Sequence, residues 1–186
     1  DKEGASLQAV LEECEKTLEL KGVPITIPVR QDGQLIGVID LLTRQQVTSN
    51  AQSSKSRQED IPKDHEADAT ESRRRLMELV AEINDQLVEK YLTDGELSDD
   101  DLMDGLTMGT LERKFLPVLC GSATSHVGTA SLLEAITRFL PSPEDRANLH
   151  PLVGTQPETR EACQRQPDPQ EPFSRLTFKT TIDPFM

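Results

Sequence analysis

Apolar residues first recur at helical spacing between residues 6 and 20. They form one stripe, which consists of Leu7, Val10, Leu11, Cys14 and Leu18. This pattern predicts an amphipathic helix. Ser6 is the expected N-cap, and Gly22 is expected to adopt the left-handed conformation just beyond the end of the helix.

Residues 23–42 carry the pattern of a β-hairpin. Apolar residues at odd positions alternate with polar residues and with Pro24 and Pro28. Both prolines lie at even-numbered positions of this strand. Since proline cannot donate a backbone hydrogen bond to a neighbouring strand, we expect the strand at the edge of a sheet. The segment Gln31-Asp32-Gly33-Gln34 predicts a tight turn, and residues 35–42 are the predicted returning strand.

The composition changes between residues 43 and 69, where Gln, Ser, Asn, Lys and Asp replace almost all apolar residues. This segment is predicted to be a long surface loop. Residues 70–92 restore the helical spacing and predict one long helix. Arg73, Arg74 and Arg75 lie near its N-terminal end, where positive charge opposes the helix dipole, so we expect a solvated cluster there.

A short acidic helix is predicted next. Ser98 and Asp101 have the spacing of a capping box, and Leu102 and Leu106 follow on one face. A calcium loop would need alternating oxygen ligands, a central glycine and a terminal glutamate, which residues 94–101 lack. A capped helix is therefore the favoured interpretation.

Residues 115–140 predict a buried strand, a tight loop and an amphipathic helix. An uncharged run ends in Cys120-Gly121-Ser122-Ala123, and apolar residues then recur at helical spacing. In open α/β sheets, ligands bind where such loops leave the carboxyl ends of strands. Small residues there allow a ligand to reach backbone N–H groups. Taken alone, this loop is more simply an ordinary strand-to-helix turn.

The segment Pro141-Ser142-Pro143 ends that helix, and residues 144–171 have the Pro-, Gln- and charge-rich composition of a linker. A new apolar pattern begins at residue 172. The chain opens without Met and ends within a predicted turn, so we expect an internal part of a longer protein.

The composition narrows the possible functions. Among 186 residues, 33 acidic and 20 basic side chains give a formal charge of −13, which disfavours a basic nucleic-acid groove. Three widely separated cysteines form no metal motif or disulfide framework and are typical of a reducing cytoplasm. No apolar run is long enough to span a bilayer. The three histidines are isolated, so no zinc site is indicated.

The sequence around Ser122 is not that of a catalytic nucleophile. A nucleophile elbow needs glycine two residues before and two residues after the serine, and Cys120 and Thr124 occupy those positions. The phosphate-loop pattern Gly-x-x-x-x-Gly-Lys-[Ser/Thr] is also missing, so this chain alone is not expected to hydrolyse a nucleotide. We assign no catalytic residue and no metal ligand within it.

Several blocks, in this order and spacing along nearly the whole chain, resemble bacterial elongation factor G, the translocation GTPase of the ribosome. The most specific block is Pro117-Val118-Leu119-Cys120-Gly121-Ser122-Ala123. The other blocks are residues 1–5, 23–28, 37–41, 60–62, 89–92, 139–143, 171–173 and 178–185. The acidic run at 95–100 is more similar to the divergent second class of elongation-factor-G-like paralogues.

This resemblance implies an α/β fold: the C-terminal part of a P-loop GTPase domain with an α+β insertion subdomain, followed by the start of a β-barrel domain. Residues 1–22 would hold the end of a guanine motif and the following helix. Residues 112–143 would hold the last strand, the guanine-reading loop and the last helix of that domain. The insertion subdomain would span 23–111, a linker 144–171 and the barrel start 172–186.

The resemblance also implies a guanine site. Asp1 corresponds to the last residue of the family's Asn-Lys-x-Asp motif, and Lys2 lies either at the edge of the base or in solvent. Gly121, Ser122 and Ala123 correspond to the second guanine-reading loop. The Asp1 carboxylate can accept from N1–H and the 2-amino group of guanine, while the Ala123 N–H can donate to O6.

The family implies a cytoplasmic, monomeric GTPase without membrane contact that promotes translocation. It would bind GTP or GDP and Mg²⁺, with the Mg²⁺ ligands outside this chain, and its partner would be the ribosome. In the family the insertion subdomain contacts the ribosomal stalk protein. Two other interpretations stay open: a non-catalytic module that binds the stalk through residues 23–111, and a ribosome-protection or release-factor relative.

Overall fold

The computed structural model describes residues 4–50, 53–149, 151–173 and 179–180. The chain divides into two compact units, 1–140 and 141–186. In the first unit the helices are α1 (Leu7–Leu18), α2 (Lys63–Ala81), α3 (Asp85–Asp94), α4 (Asp99–Leu111) and α5 (Thr129–Phe139). Its strands are β1 (Lys21–Pro24), β2 (Thr26–Gln31), β3 (Gln34–Asp40), β4 (Gln45–Asn50), β5 (Ser53–Glu59) and β6 (Phe115–Val118).

Two sheets organise the first unit. β1 and β6 pair in parallel, with Lys21 opposite Phe115 and Pro24 opposite Val118. The other sheet is antiparallel in the order β2-β3-β4-β5. This mixture of helices with parallel and antiparallel strands confirms the predicted α/β class.

The predicted hairpin at residues 23–42 is present, with one difference. The chain changes sheets at Ile25, so the residues before it pair with β6 and those after it pair with β3. The turn lies at Asp32 and Gly33, whose φ angles are 50° and 80°. Because β2 is an outer strand of its sheet, Pro28 is tolerated there.

The prediction of a loop over residues 43–69 is wrong. β4, β5 and the start of α2 occupy most of this segment. Val47 of β4 is buried in a small apolar cluster with Val38 and Val127. The polar composition concealed these strands because they pair through backbone hydrogen bonds, and residues 56–59 of β5 face solvent.

The single helix predicted at residues 70–92 is two helices, α2 and α3. The break lies at residues 82–84, where the Asn84 side chain caps α3 by accepting from the Leu87 N–H at 2.9 Å. As predicted, α4 is capped by Ser98, whose hydroxyl accepts from the Asp101 N–H at 3.1 Å. Side-chain caps therefore define the starts of both helices.

Helices α2 and α4 pack closely because α4 carries two buried glycines. A Cβ atom at Gly105 would overlap the Val80 side chain of α2. One at Gly109 would overlap the Phe115 ring and lie 2.7 Å from Ile83 Cδ1. The largest fully buried side chains are Ile39, Leu41, Leu76, Leu102, Leu106, Val23, Val38, Val80 and Thr26.

The expectation of a solvated arginine cluster is wrong at Arg73, while Arg74 and Arg75 are exposed to solvent. Its side chain is 12% exposed and donates to the carbonyl oxygens of Leu41 and Leu42, the latter at 3.2 Å. It also donates to Asp99 Oδ1 at 2.5 Å. Arg73 therefore joins α2 to the end of β3 and to the first turn of α4.

The other two arginines pair with carboxylates on their own helix. Arg74 donates to Glu71 and Glu78, and Arg75 donates to Glu71 at 2.8 Å. The Arg74 and Arg75 hydrogen bonds lower the pKa of Glu71 to about 2. Because α2 begins at Lys63, the three arginines lie in the second half of the helix, and not at its N-terminal end as expected. Their acidic partners on the same helix face add favourable pairs at three- and four-residue spacing.

Helix α1 ends earlier than predicted. The residue with the left-handed conformation is Glu19, at φ 55°, and Gly22 instead lies in β1. A Cβ atom at Gly22 would lie 2.8 Å from Leu11 Cδ2. Glycine is therefore used here to let the strand approach α1, and not to end the helix.

The second unit contains α6 (Pro143–Leu149) and an antiparallel pair, β7 (Leu152–Thr155) and β8 (Ala162–Arg165). The segment predicted as a linker thus holds a short helix and a hairpin, and β7 is exposed throughout. The predicted barrel start at 172–186 lies mostly outside the described residues. The proposed domain boundaries stay predictions.

Candidate functional site

The loop between β6 and α5 carries three of the predicted site residues. Gly121, Ser122 and Ala123 lie together directly after the strand. Asp1 and Lys2, the other two, lie outside the described residues. The structure therefore gives the geometry of one side of the predicted guanine site.

Backbone contacts close this loop at its base. The Ser122 N–H donates to the Val127 carbonyl at 2.9 Å. A Cβ atom at Gly121 would lie 2.8 Å from the same carbonyl oxygen, so a larger residue would force the two strands of the loop apart. Gly128 has a φ of 74°, and a Cβ atom there would overlap the Cys120 carbonyl. Both glycines are required by close backbone approach.

The Ser122 side chain shapes the loop from within. Only 4% of Ser122 is exposed, and its hydroxyl lies 3.1 Å from Thr124 Oγ1. The same oxygen accepts from the Ser125 N–H at 3.3 Å. The Ser122 hydroxyl is thus engaged in hydrogen bonds within the loop.

Ala123 carries an exposed backbone donor in this loop. The residue is exposed, and within the described residues no acceptor pairs with its N–H group. An exposed backbone N–H of this kind can donate a hydrogen bond to an acceptor on a ligand.

The whole chain is similar in sequence to a known protein. Over 185 residues, 98% of its length, the chain is 36% identical to elongation factor G 2 from Syntrophus aciditrophicus strain SB. The chain is similar to elongation factor G. It spans 27% of the length of that relative. No protein-family model matches the chain.

A solved structure is similar to the chain in fold. A crystal structure of a protein from Thermus thermophilus superposes on 81% of the chain with a TM-score of 0.68 and 26% sequence identity. The chain covers 22% of that structure. The resemblance to elongation factor G that the sequence blocks indicated is therefore confirmed.

The resemblance to elongation factor G also implies Mg²⁺, whose ligands are expected outside this chain. Among the residues that the structure describes, no group of three or more His, Cys, Asp or Glu side chains could hold a metal ion. In the same residues, no helix is long and apolar enough to cross a membrane.

Sequence reasoning missed a contact that supports the loop from the neighbouring sheet. The Cys120 N–H donates to Thr26 Oγ1 at 2.8 Å, and Cys120 Sγ lies 3.5 Å from the Thr26 carbonyl oxygen. Burial raises the pKa of the Cys120 thiol, which keeps it protonated as a donor. Thr26 lies at an even-numbered position, like Pro24 and Pro28. The alternating pattern therefore predicted that Thr26 lies outside the core. The change of sheets at Ile25 breaks that alternation and buries Thr26.

Proposed function

We propose that this chain supplies guanine recognition to a cytoplasmic, ribosome-associated GTPase that promotes translocation during translation. One observation carries the proposal: Ala123 is exposed and its backbone N–H has no acceptor among the residues that the structure describes, in a loop that Ser122 and two glycines hold in shape. Similarity to elongation factor G supports the identity of the ligand.

The chemistry of guanine fits this loop. Its O6 accepts from the Ala123 N–H, while the Asp1 carboxylate accepts from N1–H and the 2-amino group. Adenine has an amino donor in place of O6 and no proton on N1. Each buried donor or acceptor left unpaired costs about 1–3 kcal/mol, so adenine is rejected.

The remaining parts of the reaction lie elsewhere in this proposal. GTP hydrolysis would need a phosphate loop and Mg²⁺ ligands, and the phosphate-loop pattern does not occur in these 186 residues. The chain would therefore bind the base without hydrolysing the nucleotide. Its assembly state would be monomeric and its partner the ribosome.

The proposal is tested by titrating the isotopically labelled chain with GMP and with AMP and recording amide NMR shifts. We expect saturable shifts centred on Ala123 with GMP in the millimolar range, and at least tenfold weaker binding of AMP, since 1.4 kcal/mol corresponds to a factor of ten. Equal shifts with both nucleotides, or none near Ala123, would contradict the guanine site.

Two glycine variants make a matched pair for this titration. Gly128→Ala strains a positive φ and overlaps the Cys120 carbonyl, so we expect it to abolish the GMP shifts. Gly33→Ala strains a similar φ of 80° in a hairpin turn, where a Cβ atom meets nothing within 4 Å. Gly33→Ala should therefore bind GMP as the wild type does.

A second candidate function is docking of residues 23–111 on the ribosomal stalk, independent of nucleotide. It is favoured by the way Arg73 ties α2 to the Leu41 carbonyl and to Asp99, which joins sheet and helices into one packed body. Binding of the whole chain to purified stalk protein, measured with and without GMP, tests it. Failure to bind in either condition would remove this candidate.

A further inference from the structure

Thr26 lies at the point where the chain passes from the parallel sheet to the antiparallel sheet. It is the first residue of β2, pairs with Asp40 of β3, and is only 1% exposed. A threonine buried this deeply needs hydrogen-bond partners. Its neighbour Ile25 donates to the Val118 carbonyl at 2.9 Å, which brings this junction beside the end of β6.

The side-chain hydroxyl and the backbone carbonyl of Thr26 both contact Cys120, the residue that opens the loop. The hydroxyl oxygen accepts from the Cys120 N–H at 2.8 Å, and the carbonyl oxygen lies 3.5 Å from Cys120 Sγ. Cys120 and Thr26 are 94 residues apart in the chain. The antiparallel sheet thus fixes the backbone of Cys120, the residue immediately before Gly121.

The same sheet also holds the other end of the loop. Val127 is buried against Val38 of β3 and Val47 of β4. Because Val127 accepts the hydrogen bond from Ser122, its position sets the base of the loop. The antiparallel sheet therefore contacts the loop on both sides of Ala123.

We propose that Thr26 is a positioning residue for guanine recognition: its hydroxyl holds Cys120 so that the Ala123 N–H faces O6 of the base. This role rests on the proposed guanine site. Serine can supply the same acceptor, whereas valine has the shape of threonine without it. The hydroxyl of Thr26, and not its bulk, is the group that acts.

Three substitutions separate this role from general stability. Thr26→Val removes the acceptor, and Thr26→Ser keeps it while removing a methyl group. Thr48→Val makes the same chemical change in β4 of the same sheet and serves as the matched control. In the complete 186-residue chain, we expect Thr26→Val to accelerate hydrogen exchange of the Cys120 amide about tenfold. Thr26→Ser and Thr48→Val should stay within about threefold of wild type.

A ratio of affinities provides the decisive measurement. In 6-thio-GMP only the O6 acceptor is changed, to sulfur, which accepts hydrogen bonds more weakly. We expect wild type, Thr26→Ser and Thr48→Val to prefer GMP by about threefold to tenfold, and Thr26→Val to lower this preference below about twofold. A loss of protein stability alone would weaken the binding of GMP and of 6-thio-GMP by the same factor. The ratio of the two affinities would then stay unchanged.

Each other outcome has a distinct meaning. If Thr26→Val accelerates Cys120 exchange but keeps the wild-type preference for GMP, the positioning role is wrong and the guanine site stands. If Thr26→Ser behaves like Thr26→Val, packing of the methyl group holds the loop and the proposal also fails. If the wild-type chain binds neither nucleotide, the guanine site and the positioning role are both overturned.

Discussion

Replacement of Arg73 by methionine should destabilise the first unit more than any similar change on the surface of α2. Methionine keeps most of the apolar stem and removes the guanidinium group. The Leu41 and Leu42 carbonyl oxygens and the Asp99 carboxylate then lose their shared donor. Arg73→Met therefore isolates the hydrogen bonds of the guanidinium from the packing of its stem.

The magnitude follows from the exposure of each partner. Hydrogen bonds between a charged donor and part-buried carbonyl groups contribute about 1.5–3 kcal/mol. Asp99 is 70% exposed, so its pair with Arg73 is screened by solvent and adds less than about 1 kcal/mol. We therefore expect Arg73→Met to lower the free energy of unfolding by about 2–4 kcal/mol. Arg73→Lys keeps the charge without the planar fork and should fall between wild type and Arg73→Met.

Urea unfolding of the whole chain, followed by circular dichroism at about 222 nm, measures this difference. Arg75→Met is the matched control, because Arg75 is 69% exposed and pairs with Glu71 on its own helix. It should change the free energy of unfolding by no more than about 0.5 kcal/mol. Equal losses in the two variants would refute the interpretation. So would a loss in Arg73→Met that disappears in about 0.5 M salt, since only the Asp99 pair is exposed to screening.

Three further outcomes test other parts of the molecule. Gly109→Ala should destabilise the chain by about 1–3 kcal/mol in urea because its Cβ overlaps the Phe115 ring; a stabilisation would contradict this packing. The Arg74 hydrogen bond lowers the pKa of Glu71 from 4.5 to about 2, so ionised Glu71 stabilises the fold above pH 4.5 and that contribution disappears as the pH falls to about 2. Glu71→Gln should flatten the dependence of the free energy of unfolding on pH between about 2 and 4.5. A pH dependence parallel to that of the wild type would contradict this expectation. Asp1→Asn should shift the preference of the chain from GMP toward XMP, whose base has an acceptor at position 2, and an unchanged preference in a competition titration would reject the role of Asp1.

Elements with a regular apolar period were predictable from the sequence. Helix α1 has a clear stripe, the first hairpin has a strong turn at Asp32-Gly33, and α5 follows an uncharged strand. Ser98 could be recognised as an N-cap because its partner lies three residues away. In each case the decisive interactions are local, so the pattern within a short stretch of chain contains them.

Elements that depend on distant partners were not predictable in this way. β4 and β5 are polar, and their stability comes from pairing along the edge of a sheet whose other strands lie earlier in the chain. Arg73 looked solvated because its carbonyl partner at Leu41 lies 32 residues away and Asp99 lies 26 residues away. Local composition contains no information about such partners. It therefore predicted a loop where β4 and β5 pair, and a solvated side chain where the Arg73 guanidinium is buried.

The candidate site combines both situations. A loop that binds a base through a backbone N–H needs small side chains. The sequence Gly121-Ser122-Ala123 shows only that this requirement is met. In the proposed site, the direction of the Ala123 N–H would depend on Cys120, whose own N–H donates to Thr26 in another strand. If the positioning role of Thr26 is correct, two chains with identical loop motifs will read guanine differently when they differ at position 26. The loop motif would then be necessary for guanine recognition without being sufficient. The antiparallel sheet would contribute part of the specificity for guanine.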